Sequence, residues 1–136
     1  MILLDTSGAL ALLDADEREH GRVKQVMTAT VGPLVLTDFV LAELDFLVLK
    51  RLGIAAEEEL IAQLIEGVFL REPVSDRDLR RAAEITASYR DQELGLTDAT
   101  LMALTERLEV RRVLTLDRRH FGGFRDARGQ ALELLP

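Results

Sequence analysis

Four carboxylates in this chain fall where they could act on one ligand. Asp5 closes the opening run ILLD, Glu43 lies within DFVLAELDFL, Asp98 opens the helical stretch DATLMAL, and Asp117 follows RVLTL. Two of them stand at the ends of short apolar runs with β-strand character, and two stand on helical stretches whose neighbouring positions are apolar. If all four converge within about 5 Å, each charged pair repels by roughly 3 kcal/mol at an effective dielectric of about 20. Six such pairs exceed the whole stability of a typical domain, roughly 5–15 kcal/mol. A cluster of that kind must be partly protonated, paired with arginine, or holding a divalent cation. All-oxygen ligands without a Cys or a His pair favour Mg²⁺ or Mn²⁺ over zinc. Carboxylate-bound Mg²⁺ suits phosphoryl chemistry: one ion polarises the phosphate and lowers the pKa of an attacking water, and a second stabilises the leaving oxygen.

Each carboxylate also has a plainer reading. Asp5, Asp98 and Asp117 suit helix caps, with Thr97 competing for the cap that Asp98 would make. On a helix Glu43 has Phe39, Val40, Phe46 and Leu47 as its neighbours three and four positions away, all apolar. Asp38 and Asp45 fall roughly 140–160° around from it, so they predict the solvent side and Glu43 is expected to point inward. The alternative for Glu43 is a rim position paired with Lys50.

The elements that must position these groups alternate along the chain. ILLD is a first strand and TSGALALLDA a helix close behind it; a second helix is expected from Asp16 to Thr30, broken by Gly32 and Pro33. PLVLT is the second strand, and Thr37–Asp38 caps a long helix to about Leu52, stopped at Gly53. A helix over Ala55–Glu66 precedes a third strand within GVFLREPV. Ser75 and Asp78 have the spacing of a capping box for a helix reaching about Asp91. After the helix opened by Asp98 and the strand RVLTL, FGGF reads as a turn and ALELL as a terminal strand. Strands alternating with helices predict an α/β fold with a parallel sheet covered on both faces. Right-handed crossovers then put Asp5 and Asp117 on one sheet edge, where open α/β sheets meet their ligands.

At 136 residues the chain is expected to be one domain spanning 1–136. No apolar run is long enough to span a membrane and MILLD lacks the features of a signal peptide, so the cytoplasm is the expected location. The chain has no cysteine, which excludes disulfides and thiolate metal sites. A formal charge of −7 repels a nucleic-acid backbone and predicts a basic protein partner. Nearly all the positive charge is arginine, however, and arginine is the better fork for phosphate.

The motifs LLDTSGAL, VLAEL, YRDQELGLTDA and LTLDRRHF, in that order and covering nearly the whole length, resemble those of PIN-domain ribonucleases of the VapC toxin type. The resemblance implies a three-layer α/β/α sandwich around a mainly parallel sheet, and a Mg²⁺-dependent endoribonuclease that cuts selected RNA. It assigns Asp5, Glu43, Asp98 and Asp117 to binding Mg²⁺ (or Mn²⁺ in its place) and orienting the attacking water. It further implies homodimerisation, with higher toxin–antitoxin assembly open to it. A basic VapB-type antitoxin would inhibit it by inserting a basic residue near the acidic site.

Other residues carry weaker signals. Thr6 and Thr115 flank the expected site and could bond a phosphate or a water; a strand threonine is commonly structural. Arg118 and Arg119 adjoin Asp117 and suit RNA phosphate contact. Arg77, Arg80 and Arg81 read as a solvated helix face. His120 reads as a turn residue packing beside Phe121, and His20 carries no signal. The helix around Val40, Leu44, Leu47, Val48 and Leu49 is apolar on more than one side, as a central helix or as a dimer or antitoxin groove. Three rivals stand beside the nuclease reading: a receiver-type Mg²⁺-binding signalling domain, for which Lys24 and Lys50 are misplaced; a non-catalytic PIN-like assembly module; and a nuclease acting on structured DNA.

Overall fold

Each apolar run expected to be a strand contributes one in the computed structural model, which describes residues 1–136. The strands are β1 (Ile2–Leu4), β2 (Leu34–Thr37), β3 (Phe69–Glu72), β4 (Arg112–Leu114) and β5 (Glu133–Leu135). They form one sheet in the order β3-β2-β1-β4-β5, and every pairing is parallel. The helices are α1 (Thr6–Leu13), α2 (His20–Ala29), α3 (Asp38–Leu52), α4 (Ile54–Glu66), α5 (Asp76–Ser88), α6 (Leu96–Arg107) and α7 (Arg118–Gly123).

Alternation along the strands builds two cores. Ile2, Leu4, Leu36 and Leu114 face a cluster that takes in Leu10 of α1, Val23 of α2, Val40, Leu44 and Val48 of α3, and Leu60 of α4. Leu3, Val35 and Val113 face the other way, onto Ile85 of α5, Leu101, Met102 and Leu104 of α6, and Phe121 of α7. The period-two geometry of a strand buried on both faces therefore yields three layers, α1–α4 on one side and α5–α7 on the other. The chain moves outward from β1 to β3, then crosses the sheet to β4 on the far side of β1. Successive right-handed crossovers in opposite directions must cover opposite faces, and they leave a switch point between β1 and β4. A receiver-type sheet sets its first strand between the second and third. Here β1 lies between β2 and β4, which removes that rival.

Several boundaries differ from expectation, each for a local reason. Asp14 accepts the Asp16 N–H at 3.0 Å, a turn that delays α2 to His20. His20 is structural, because its Nδ1 meets the Ala11 carbonyl at 2.9 Å and so satisfies an acceptor in the last turn of α1. The Ser75–Asp78 capping box is present, yet α5 stops at Ser88 and a 3₁₀ turn follows over Arg90–Gln92. Helix α6 starts at Leu96 with Gly95 at its cap, so Asp98 lies inside the first turn and caps nothing. Strand β4 ends at Leu114, three residues before Asp117. The expected turn after Asp117 is the short helix α7.

Candidate active site

Asp5 leaves the sheet at the switch point and caps α1. It is 5% exposed, and its Oδ2 accepts from Ser7 Oγ at 2.6 Å, Thr115 Oγ1 at 2.8 Å and, more weakly, the Ser7 N–H at 3.4 Å. The same two hydroxyls accept backbone bonds from the far strand's exit, Leu116 N–H onto Ser7 and Asp117 N–H onto Thr115, both at 2.9 Å. Two hydroxyls thus staple the end of β1 to the end of β4. Oδ1 of Asp5 accepts nothing from the protein. Gly8 makes this approach possible, because a Cβ there would lie 2.3 Å from the Leu114 carbonyl oxygen.

Asp98 and Asp117 face each other across the mouth of this staple, with His120 between them. Asp117 caps α7, its Oδ1 accepting the His120 N–H at 3.1 Å. That bond brings the imidazole back beside its own cap: His120 Nδ1 is 3.0 Å from Asp117 Oδ2 and 2.8 Å from Asp98 Oδ2. Ligand atoms of the three residues lie within 4.8 Å of one another. Burial pushes the Asp98 carboxyl up first, the Asp5 charge adds to it, and Asp117 adds further. The facing His120 opposes them, and the net value is about 6.

Glu43 overturns its expectation in part. It is exposed, not turned into the core, and Phe46 beside it on α3 is 59% exposed. It is not paired with Lys50 either, whose Nζ lies over the Phe46 ring at 5.3 Å. Instead two threonines hold its carboxylate: Thr6 Oγ1 donates to Oε2 at 2.8 Å and Thr97 Oγ1 to Oε1 at 2.7 Å. Each donor adjoins another of the four acids, Asp5 and Asp98. Glu43 is therefore fixed at the rim of the same cluster, exposed on the side that faces solvent.

Asp98 is partly buried beside the charges of Asp5 and Asp117, and the donor set is oxygen with one imidazole nitrogen. These residues fit a divalent cation. Capping and site geometry are not alternatives here: Asp5 and Asp117 do both. Arg118 is exposed on α7 and donates to the terminal Pro136 carbonyl, and Arg119 beside it is exposed. Arg81 leaves the solvated face expected for it, forking onto Glu106 with Nε–Oε2 at 2.6 Å and Nη2–Oε1 at 2.9 Å.

Sequence reasoning overlooked Ser7 and the roles of Thr97 and His120. A signal existed for His120, because Asp117 and His120 share a helix face if a helix begins at Asp117. FGGF hid that helix. Thr97 carried no signal, since its partner lies 54 residues away; Ser7 bonds locally to Asp5, but its tie to Leu116 spans 109 residues.

The sequence profile of the PIN domain matches residues 2–128. Ribonuclease VapC26 of Mycobacterium tuberculosis is 36% identical over 135 residues, covering 99% of this chain and all of that protein. The fold resembles the crystal structure of M. tuberculosis VapC20, a toxin described as cleaving the sarcin–ricin loop, with a TM-score of 0.81 at 24% identity over 91% of this chain and 96% of that one. A toxin–antitoxin complex from Klebsiella pneumoniae contains a chain similar at a TM-score of 0.72, 20% identical, covering 91% of this chain and 92% of that one.

Proposed function

Because this chain belongs to the PIN-domain family and is of the VapC ribonuclease type, we propose that it is a Mg²⁺-dependent endoribonuclease toxin, one domain over 1–136, that cuts selected RNA and is neutralised by a cognate antitoxin. The observation that supports this reading best is that Asp98, partly buried and crowded by Asp5 and Asp117 at the switch point, is lifted to about 6. A group so disfavoured as an anion gains most from a cation beside it.

Asp5, Asp98 and Asp117 would hold Mg²⁺, or Mn²⁺ in its place, and Glu43 would complete the site directly or through water. Bound there, the cation supplies the positive charge that polarises a scissile phosphate and lowers the pKa of an attacking water. The protein's own part is positioning. Ser7 and Thr115 occupy Oδ2 of Asp5 and leave Oδ1 for the ligand. Thr6 and Thr97 fix Glu43 where it can accept a proton or orient water at the exposed rim. Arg118 and Arg119 lie where RNA flanking the cut would pass, and offer phosphate contacts that carry no sequence information.

A partner is expected on chemical grounds as well as by likeness to toxin–antitoxin complexes. The chain carries a net charge of −7, and α3 and α4 expose Phe46, Leu49, Ile54, Ile61 and Ile65. Such a surface suits a basic antitoxin of the VapB type with an apolar face, or a second copy of the chain in a homodimer.

The test is cleavage of a mixed pool of structured RNA with Mg²⁺ by wild type and Asp98→Asn, with EDTA as the second control. Cleavage that requires both the metal and Asp98 supports the proposal. Equal cleavage by both proteins marks a contaminant, and metal binding without cleavage of any RNA turns the reading to a non-catalytic assembly module. A parallel DNA arm separates the two nucleic acids.

A further inference from the structure

We infer that His120 is itself a metal ligand, so that the site presents an imidazole nitrogen beside its carboxylates and takes Mn²⁺ ahead of Mg²⁺. The inference rests on the divalent-cation reading above and extends it to a residue outside the four acids. Helix α7 begins at Asp117, which puts Asp117 and His120 on one face of its first turn. Asp117 spends Oδ1 on the His120 N–H at 3.1 Å, and this fixes where both side chains go. Its Oδ2 is left 3.0 Å from His120 Nδ1, and Asp98 Oδ2 closes from the opposite wall at 2.8 Å.

These separations are also those that the edges of a coordination shell would have. Around a six-coordinate cation with bonds of about 2.1 Å, neighbouring ligand atoms lie about 3 Å apart. Nδ1 already stands at that spacing from two carboxylate oxygens, 2.8 Å from Asp98 Oδ2 and 3.0 Å from Asp117 Oδ2, and the ring is held with its side chain 22% exposed. A hydrogen bond to Asp98 accounts for one of these contacts, and the approach of Asp117 Oδ2 brings a second carboxylate oxygen to the same nitrogen. An imidazole that held a cation through Nδ1 would do so as the neutral ring, with its proton on Nε2. The bond between Asp117 Oδ1 and the helix backbone then orients a ligand from outside the coordination shell, as supporting hydrogen bonds do around other metals. Nitrogen is a poor donor for Mg²⁺, and Mn²⁺, the first member of the transition-metal affinity order, accepts an imidazole more readily, which sets the preference between the two.

The chain contains two histidines, and the other, His20, is bonded to the Ala11 carbonyl between α1 and α2. That makes an assignment by spectroscopy direct. The full-length protein is loaded with one equivalent of Mn²⁺ and examined by pulsed electron paramagnetic resonance for ¹⁴N modulation from a bound imidazole. The expected result is ¹⁴N modulation in wild type and in His20→Gln that disappears in His120→Gln. Mn²⁺ affinity is expected to fall about tenfold or more in His120→Gln and Mg²⁺ affinity by less. Mn²⁺ that binds and is lost in Asp98→Asn, yet shows no ¹⁴N modulation, overturns the role of His120 and leaves the nuclease proposal standing. So does ¹⁴N modulation that survives in His120→Gln. Failure of Mn²⁺ to bind wild type at all overturns both. Wild type and His20→Gln decide the question even if His120→Gln does not fold.

Discussion

Asp98 is the residue at which charge and fold meet most directly. Its carboxyl is held at about 6 by burial first, then by Asp5, with Asp117 adding to them and His120 opposing. An acid whose folded-state pKa is raised favours folding while protonated. Its contribution is complete below the unfolded value and is lost as pH rises through about 6. In metal-free protein, Asp98→Asn is therefore expected to gain in Tm relative to wild type between about pH 5 and about pH 7.5. Mg²⁺ at the higher pH should raise the Tm of wild type more than that of the variant, because the variant lacks one of the carboxylates that would hold the cation. Calorimetry at the two pH values with and without Mg²⁺ checks this. Glu43 offers a second expectation at this scale. Thr97→Val removes the donor at 2.7 Å without touching a ligand. RNA cleavage should fall roughly ten- to hundredfold, as for other supporting contacts, with the melting curve unchanged.

At the scale of elements, the approach of α1 to β4 positions the site. Asp5 N–H bonds to the Leu114 carbonyl at 3.0 Å, and Gly8 lets the following turn lie against that same carbonyl. Alanine is the better helix former by about 1 kcal/mol, so helix propensity alone predicts that Gly8→Ala stabilises. Packing predicts the reverse, since a Cβ 2.3 Å from backbone oxygen must push α1 away. The clash is with backbone and cannot relax by a rotamer change, so overpacking wins, at about 1–3 kcal/mol net. Denaturation in urea is expected to show that loss. RNA cleavage should fall by more than the lost stability explains, because the Ser7–Thr115 staple opens with the same movement.

Across the whole molecule, the helical layer of α5 and α6 is tied together away from the site. Asp78 is 2% exposed, caps α5 through Ser75, and accepts from Arg107 Nε at 2.9 Å, while Arg107 also reaches Glu72 of β3 at 2.8 Å. Burial pushes the Asp78 carboxyl up, yet the Ser75 bonds and Arg107 outweigh it and hold it below the ordinary value. A depressed carboxyl contributes stability above its unfolded pKa, and that contribution is lost as pH falls through its folded value. The expected acid denaturation therefore has a component that Asp78→Asn removes, measured as a smaller drop in Tm between about pH 5 and about pH 3. Asp98 works in the opposite direction, so the two carboxylates give the protein opposing pH dependences.

The sequence by itself determined the layers and the candidate acids. Short apolar runs alternating with amphipathic stretches suffice for a parallel sheet covered on both faces, and a strand's end is where an aspartate meets ligand. Those properties are local, or follow from handedness that all L-amino acids share. Tertiary structure alone decided which atoms meet. Glu43 looked like a core residue because Phe46 and Leu47 beside it are apolar, but α3 leaves Phe46 exposed and presents Glu43 to two threonines on other elements. His120 looked like part of a turn because Gly122 and Gly123 follow it, but the cap made by Asp117 winds a helix there and turns the ring between two carboxylates. Periodicity records which side of an element is apolar. It does not record which distant hydroxyl, carboxylate or backbone carbonyl stands opposite, and that pairing makes a cluster of acids into a site.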